Sequence, residues 1–220
     1  MLSIDKLKQS VMNKLKLSGV LLFLAGSFAL MGIITAEVFY PSGYTTFNSE
    51  ISDLGATKPP NSLIYQPSAS IFNITMLLSG LMTLTAALYQ HRYFKKLLFS
   101  ISLGIFGLSL LGIGFFSGDK VPYHGIFSLL AFISGGVSAI LSFKIVSAPF
   151  KFIGIVLGSI TLITWLAVVV TPNIIVPFIG MGGTERWVVY PVVLWITGLG
   201  GYLMNTTTTK NLAINTQREE

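Results

Sequence analysis

The sequence predicts an all-α fold, a polytopic bundle of six transmembrane helices. Of the 220 residues, 52% are hydrophobic and only 10% are charged, whereas soluble chains carry about 25% charged residues. Six apolar runs are long enough to cross about 30 Å of hydrocarbon as helices. The lysines and arginines fall in small clusters between these runs, as they do in the loops of membrane proteins.

The six runs form a single membrane domain, 17–204, between a cytoplasmic N-terminal segment, 1–16, and a cytoplasmic tail, 205–220. The predicted spans are 17–40, 71–89, 97–116, 125–143, 152–171 and 187–204. Long loops, 41–70 and 172–186, follow the first and fifth spans, and the other connections are short. A chain with this pattern is expected to cross the membrane six times.

The basic residues indicate the direction of the spans. If both termini and the loops at 91–96 and 144–151 share one side, that side holds 11 of the 14 bases and three of the eight acids. Its net charge is then +8, and the other side carries −2. Cytoplasmic loops are the ones enriched in lysine and arginine. We therefore expect a multi-pass plasma-membrane protein with both termini in the cytoplasm.

The basic leader before the first apolar run is also typical of a secretory signal peptide. The run at 17–40, however, is about twice as long as the apolar core of such a peptide. We therefore interpret the first span as an uncleaved signal-anchor.

The composition excludes several classes of site and partner. The chain has no cysteine, which excludes disulfides, thiolate metal sites, iron–sulfur clusters and a cysteine nucleophile. Its two histidines, His91 and His124, lie at opposite membrane faces in this topology, which excludes a haem held by both. No ionisable residue lies near the middle of a predicted span, which disfavours proton-coupled transport. The scattered bases are explained by topology, so no nucleic-acid partner is expected.

Polar chemistry collects on the predicted outer face, where His124 precedes the fourth span. The carboxylates of that face belong to Glu37, Glu50, Asp53, Asp119 and Glu185. A histidine among carboxylates suits acid–base chemistry, because a carboxylate holds the imidazole in one tautomer. The same residues suit a divalent metal ion, whose identity the sequence leaves open. Solvated loop charges and helix caps produce the same pattern without any site.

The outer face also has features of an anion site. With the N-terminus inside, the second, fourth and sixth helices begin there, and helix N-termini present unpaired N–H groups. Thr184 is positioned to cap the sixth helix, with Glu185 in its first turn. Arg186 and Lys120 add cations, so a lipid phosphate is one ligand that this face suits.

Local composition also predicts particular features of the loops and spans. The run at 48–55 is rich in serine, aspartate and glycine, which predicts a turn or short helix. The loop at 172–186 is unusually apolar, which predicts a segment that lies in the interface or enters the bundle as a lid. Pro191 is expected to kink the last span. Gly154 and Gly158 are spaced for close helix packing.

Short motifs distributed along the chain resemble those of a known family. They are Ile-Ser-Asp-Leu-Gly-Ala at 51–56, Ile-Phe-Asn at 71–73, His-Gly-Ile-Phe at 124–127 with Ala131 and Phe132, and Gly-Thr-Glu-Arg at 183–186 followed by Pro191 and Trp195. With these motifs the chain resembles an uncharacterised family of prokaryotic membrane proteins, domain of unknown function 998, over roughly 17–204. The resemblance implies a six-helix membrane fold and no established activity.

Two functions of different classes follow as hypotheses. In the first, an outward-facing polar pocket engages the headgroup of a membrane lipid, and the protein is a hydrolase or transferase. The catalytic candidates are His124, Asp53 and Glu185. The substrate-binding candidates are Arg186, Glu37, Asp119 and Lys120. In this hypothesis His124 is the general base or a metal ligand, Asp53 or Glu185 orients it, and Arg186 holds an anionic group.

The second hypothesis is a non-catalytic membrane transporter or an accessory subunit. In that case the same charged residues tie loops to helix ends, and Arg186 with its carboxylate partners forms a structural network. The sequence leaves open the substrate, the oligomeric state and any protein partner.

Overall fold

The computed structural model describes residues 4–205, whose regular secondary structure is entirely helical and includes no strand. The six long helices are α1 (Ile4–Val38), α2 (Ser68–Phe94), α3 (Leu97–Phe115), α4 (Tyr123–Leu141), α5 (Phe150–Val170) and α6 (Pro172–Met204). All six are long and apolar enough to cross a membrane, which confirms the predicted fold class. The predicted cytoplasmic tail, except residue 205, lies outside the described residues, as do residues 1–3.

The helices form a closed ring. Each packs on its neighbours in the sequence, and α6 also packs on α1. The largest side chains buried inside the ring include Leu22, Phe99 and Trp195. The indole Nε1 of Trp195 donates a hydrogen bond to the Ser142 hydroxyl at 3.1 Å. Trp195 therefore ties α6 to the short 3-10 helix, Ser142–Lys144, that follows α4.

Small residues bring α5 against its neighbours. A Cβ on Gly158 would lie 2.5 Å from the carbonyl oxygen of Gly136 in α4, closer than real Cβ contacts come. A Cβ on Gly154 would lie 2.8 Å from the carbonyl oxygen of Ala139. The prediction of close packing at these two glycines of α5 is therefore confirmed. Thr161 adds a hydrogen bond of 3.0 Å to the carbonyl oxygen of Val188 in α6.

The prediction of a loop at 172–186 is wrong, because α6 begins at Pro172. Proline is favourable there, since the first helical N–H has no partner within the helix. Gly180 alone departs from helical angles, with φ 72° and ψ 170°, and it divides α6 into 172–179 and 181–204. The backbone at Pro191 keeps helical angles, so the sharp change of direction in α6 occurs at Gly180.

Thr184 does not cap the sixth helix as predicted. It lies inside α6, and its hydroxyl donates to the carbonyl oxygen of Gly180 at 2.6 Å. The prediction failed because the sequence does not show that α6 starts again directly after Gly180, one turn before Thr184.

The long connection between α1 and α2 packs against helix ends. Its run at 48–55 contains the short 3-10 helix Ser52–Leu54, which confirms the predicted turn or short helix. Ile51 and Leu54 are buried, and the 3-10 helix contacts α1 and α2. The Ser68 hydroxyl at the start of α2 donates to the carbonyl oxygen of Leu54 at 3.3 Å. The connection therefore has a defined conformation above the bundle.

Candidate functional site

Arg186 of α6 binds the backbone of the long connection. Its Nη1 donates to the carbonyl oxygens of Thr46, Ser49 and Gly182 at 3.2, 2.9 and 2.9 Å. Two of these carbonyls belong to the connection and the third to α6 itself. A planar guanidinium can serve several acceptors at once, which an ammonium group does less well. Arg186 therefore holds residues 46–49 against α6.

The second terminal nitrogen of Arg186 reaches α1. Nη2 donates to Glu37 Oε1 at 2.5 Å and to the Tyr44 hydroxyl at 2.8 Å. The side chains of Arg186 and Glu37 are only 10% and 23% exposed, so water screens this ion pair weakly. Tyr44 donates in turn to the carbonyl oxygen of Glu50 at 3.0 Å. Burial raises the pKa of Tyr44, so its hydroxyl remains a donor at neutral pH.

Glu185 is the second anchor of the same connection. Its Oε2 accepts a short hydrogen bond from the Ile51 N–H and another of 3.4 Å from the Ser52 N–H. These N–H groups stand at the start of the 3-10 helix Ser52–Leu54, where the helix itself supplies no acceptor. Two adjacent residues of α6, Glu185 and Arg186, thus bind neighbouring parts of the connection.

Asp53, Glu50 and Lys58 complete the polar part of the connection. Asp53 Oδ2 accepts a hydrogen bond of 2.8 Å from the Glu50 N–H. Glu50 forms an ion pair with Lys58, with 2.6 Å between Lys58 Nζ and Glu50 Oε2. Burial raises the pKa of Asp53, although the Glu50 N–H opposes the shift. Burial favours a lower pKa for Lys58, but its contact with Glu50 outweighs this, and the pKa is raised.

His124, in the first turn of α4, is 6% exposed. Its Nδ1 lies 2.7 Å from the carbonyl oxygen of Phe116, so Nδ1 carries a hydrogen and donates it. A backbone carbonyl therefore orients the ring, instead of Asp53 or Glu185. Nε2 has no hydrogen-bond partner among the residues that the structure describes. In the neutral ring Nε2 is consequently a free acceptor.

A cavity of about 180 Å³ lies between α4, α5, α6 and the long connection, and it is named the polar cavity after its charged lining residues although most of its wall is apolar. Its polar lining includes Glu50, Lys58, His124, Ser128 and Glu185. Its apolar lining includes Phe132, Trp165 and Val168. The cavity combines one buried histidine, two carboxylates, one ammonium group and aromatic rings.

An apolar cavity of about 70 Å³ adjoins the polar cavity. The two share the lining residues Ser52, Ser128, Phe132, Glu185 and Val188. The apolar cavity extends along α2 from Phe72 to Thr83, about 16 Å along the helix axis at about 1.5 Å per residue. The molecule thus has a polar chamber near the helix ends and an apolar chamber that leads toward the middle of the bundle.

The structure separates the predicted site residues into three groups. His124 and Glu185 line the polar cavity. Asp53, Glu37 and Arg186 belong to the hydrogen-bond network beside it and are not among its lining residues. Asp119 and Lys120 form a separate ion pair of 2.5 Å before α4, with the Lys120 side chain 60% exposed.

Sequence reasoning missed Lys58, Ser128, Phe132 and Trp165 as lining residues. Lys58 carried a weak signal, since it is the one base of the long connection, eight residues after Glu50. The other three are single residues in apolar runs, and nothing in the sequence distinguishes them from packing residues.

The side chains do not form a cluster of metal ligands in the part of the chain that the structure describes. No group of three or more histidine, aspartate or glutamate side chains there is arranged to hold an ion. The hypothesis of a divalent metal at His124 with carboxylates thus finds no ligand set among these residues.

A family profile described as "Protein of unknown function (DUF998)" matches residues 23–202. No curated protein and no solved structure matches the chain. The matched range includes four of the spans entirely, most of the first and the last, and every residue of the polar cavity. The chain therefore belongs to the DUF998 family, a family of unknown function.

Proposed function

We propose that this protein binds a membrane amphiphile with its headgroup in the polar cavity and acts on that headgroup as a hydrolase or transferase, with His124 as general base. One observation carries the proposal. His124 is buried, its Nδ1 is held by the Phe116 carbonyl, and it lines a polar cavity that adjoins an apolar one.

The chemistry follows from the two ring nitrogens. In a hydrolase, Nε2 takes a proton from water as the water oxygen bonds to the ester carbon or phosphorus of the headgroup. The proton then passes to the departing alcohol oxygen as its bond breaks. In a transferase, a hydroxyl or amino group of the acceptor takes the place of water. The Phe116 carbonyl accepts from Nδ1 throughout, which stabilises the imidazolium between the two transfers.

The order of the two cavities supports an amphiphilic substrate. Glu50, Lys58 and His124 line the chamber near the helix ends, and the ends of helices that span a bilayer are the parts that meet lipid headgroups. The apolar chamber starts at residues shared with the polar one and runs inward along α2. A polar headgroup followed by the first part of an alkyl chain would fit a polar cavity followed by an apolar one.

His124→Asn is expected to lower turnover at least about a hundredfold, which is the usual contribution of a general base. The Nδ2 of asparagine lies where Nδ1 of histidine lies and keeps an N–H donor for the Phe116 carbonyl, so the melting temperature should change little. The measurement is lipid mass spectrometry of headgroup release or transfer after the purified protein is reconstituted in bacterial lipid extract.

Asp119→Asn is the matched control for this experiment. Asp119 lies on the same side of the bundle but pairs with Lys120 outside the polar cavity, so its amide variant should keep full turnover. Unchanged turnover in His124→Asn would contradict the general-base role. If the native protein converts no lipid, the proposal of catalysis is wrong.

We also propose that the polar cavity faces the outside of the plasma membrane and that both termini are cytoplasmic. The support is the charge distribution along the chain, with 11 of the 14 bases on the opposite side. The absence of cysteine from the native chain makes the proposal simple to test.

Lys120→Cys is expected to react with a membrane-impermeant maleimide added to intact cells. Lys144→Cys should react only after the cells are permeabilised. Both lysines are exposed, so side-chain burial does not limit either reaction. Labelling in intact cells would be read on a gel, with the cysteine-free native chain as the blank. The opposite labelling pattern would reverse the orientation.

A non-catalytic transporter or accessory subunit is the second candidate. It is favoured by polar atoms inside the bundle: the Thr83 hydroxyl and the Gln90 amide are fully buried and have no hydrogen-bond partner in the described residues. Thr83 also lines the inner part of the apolar cavity. This candidate predicts that the protein binds an amphiphile without converting it.

A further inference from the structure

We infer that the headgroup held in the polar cavity carries a primary ammonium group. This inference rests on the proposed function and names its substrate class. The sequence suggested a lipid phosphate held by Arg186 and Lys120. In the structure both cations have other partners, so an ammonium headgroup replaces that hypothesis. Arg186 is bound to Glu37 and backbone carbonyls, and Lys120 is paired with Asp119.

The charges of the cavity favour a cation. Two carboxylates, those of Glu50 and Glu185, line it together with one ammonium group, that of Lys58. Lys58 is already paired with Glu50 at 2.6 Å. Glu185 has only backbone N–H partners among the described residues, so no side chain there forms an ion pair with its carboxyl group.

The hydrogen-bonding groups of the cavity also favour a donor. His124 is buried, with only 6% of its surface exposed. Its Nδ1 donates to the Phe116 carbonyl oxygen, so Nε2 is the nitrogen left to accept a hydrogen bond. The Ile51 and Ser52 N–H groups both bond to Oε2 of Glu185, which leaves Oε1 to accept. An ammonium group offers three N–H donors and no acceptor, whereas a phosphate offers mainly acceptors.

Two N–H groups at the N-terminus of α4 are already bonded within the chain and are not available to an anion. The His124 N–H donates to the carbonyl oxygen of Lys120 at 3.0 Å, and the Ile126 N–H donates to that of Pro122 at 3.1 Å. The aromatic rings of Phe132 and Trp165 line the same cavity, and aromatic faces attract cations. A primary ammonium suits the two acceptors better than a trimethylammonium, which has no N–H.

The test compares three amphiphiles with the same alkyl chain: dodecylammonium, dodecanol and dodecyl phosphate. Each is titrated at pH 8.5, where the carboxyl group of Glu185 is ionised, into the full-length protein in lipid nanodiscs, and bound molecules are counted by native mass spectrometry. Dodecylammonium is expected to bind at least about tenfold more tightly than dodecanol, the usual effect of a charge-assisted hydrogen bond. Dodecyl phosphate should bind no more tightly than dodecanol.

Glu185→Gln should reduce the ammonium preference to about twofold or less, because the charge is lost. Its amide oxygen still accepts from Ile51 and Ser52, so the connection keeps its anchor. Asp119→Asn is the matched control and should keep the full preference. If Glu185→Gln does not fold, Trp165→Leu serves instead and should lower the preference about threefold by removing an aromatic face.

The outcomes separate this inference from the proposed function. The inference of an ammonium headgroup is wrong if all three amphiphiles bind equally, if dodecyl phosphate binds more tightly, or if the folded variants keep the full preference. In each of these cases the protein still binds an amphiphile. If none of the three amphiphiles binds, the proposed function itself is wrong.

Discussion

Gly180→Ala is expected to destabilise the protein by about 3 kcal/mol or more, through two separate effects. The backbone of Gly180 has φ 72° and ψ 170°, a region that side chains other than hydrogen strongly disfavour. An alanine Cβ would also overlap the carbonyl oxygen of Phe47 in the long connection. The backbone at residue 180 cannot shift to relieve either effect, because the long connection is packed against this residue.

The consequences of this substitution extend to the site. The Gly182 N–H donates to the Phe47 carbonyl at 3.0 Å, and the adjoining carbonyls of Thr46 and Ser49 accept from Arg186. An alanine at position 180 that pushes Phe47 away therefore weakens several hydrogen bonds together. We expect loss of the cavity geometry as well as loss of stability.

Gly183→Ala is the matched control for Gly180→Ala. Gly183 is helical, and the nearest atom to an added Cβ is Ile179 Cβ at 3.3 Å. This change should alter stability by less than about 1 kcal/mol, since helix propensity favours alanine by about that amount. The measurement is the melting temperature of both variants and of the native protein in the same detergent. A Gly180→Ala protein that unfolds like the native one would show that the connection does not constrain residue 180.

Arg186→Met is expected to lower the free energy of unfolding by about 3–5 kcal/mol, the usual cost of removing one partner from a buried ion pair. Methionine is close to arginine in length but donates no hydrogen bond. Glu37 would then keep a charge that is only 23% exposed and has lost its partner. The carbonyl oxygens of Thr46 and Ser49 would lose their donor as well.

A double-mutant cycle with Glu37→Gln separates the ion pair from the carbonyl contacts. If Arg186 and Glu37 act as a pair, Arg186→Met should cost about 1–3 kcal/mol less in the Glu37→Gln background than in the native chain. Chemical unfolding in detergent gives the four values required. Strictly additive costs would show that Arg186 stabilises the protein through the carbonyls alone. Lys120→Met, at a residue exposed to solvent, is the control and should be nearly neutral.

The helices were predictable because each is a local property of the chain. An apolar run of about 20 residues must satisfy its backbone hydrogen bonds internally in a bilayer, whatever its neighbours are. The turn at 52–54 was predictable for the same reason, since serine, aspartate and glycine act on the nearby backbone. The restart of α6 after Gly180 was missed because the helix break there lies against Phe47, which is distant in sequence.

The site could be predicted only as a collection of residue types. Glu185 and Arg186 were recognised as important, but their partners lie more than 130 residues away, at Ile51 and Glu37. Which acceptor a guanidinium finds depends on how the connection is folded over the helix ends. The same holds for His124, whose ring is oriented by a backbone carbonyl that has no signature in the sequence.

The sequence by itself determined the six helices, the polar composition of one end of the bundle and the family to which its motifs point. The tertiary structure alone decided which charges are paired within the protein and which line a cavity. Hydropathy and backbone hydrogen bonding act within one segment, and they decide whether that segment is a membrane helix. The pairing of Arg186 with Glu37 and the freedom of His124 Nε2 depend on contacts between segments, and only the packing of the whole ring creates them.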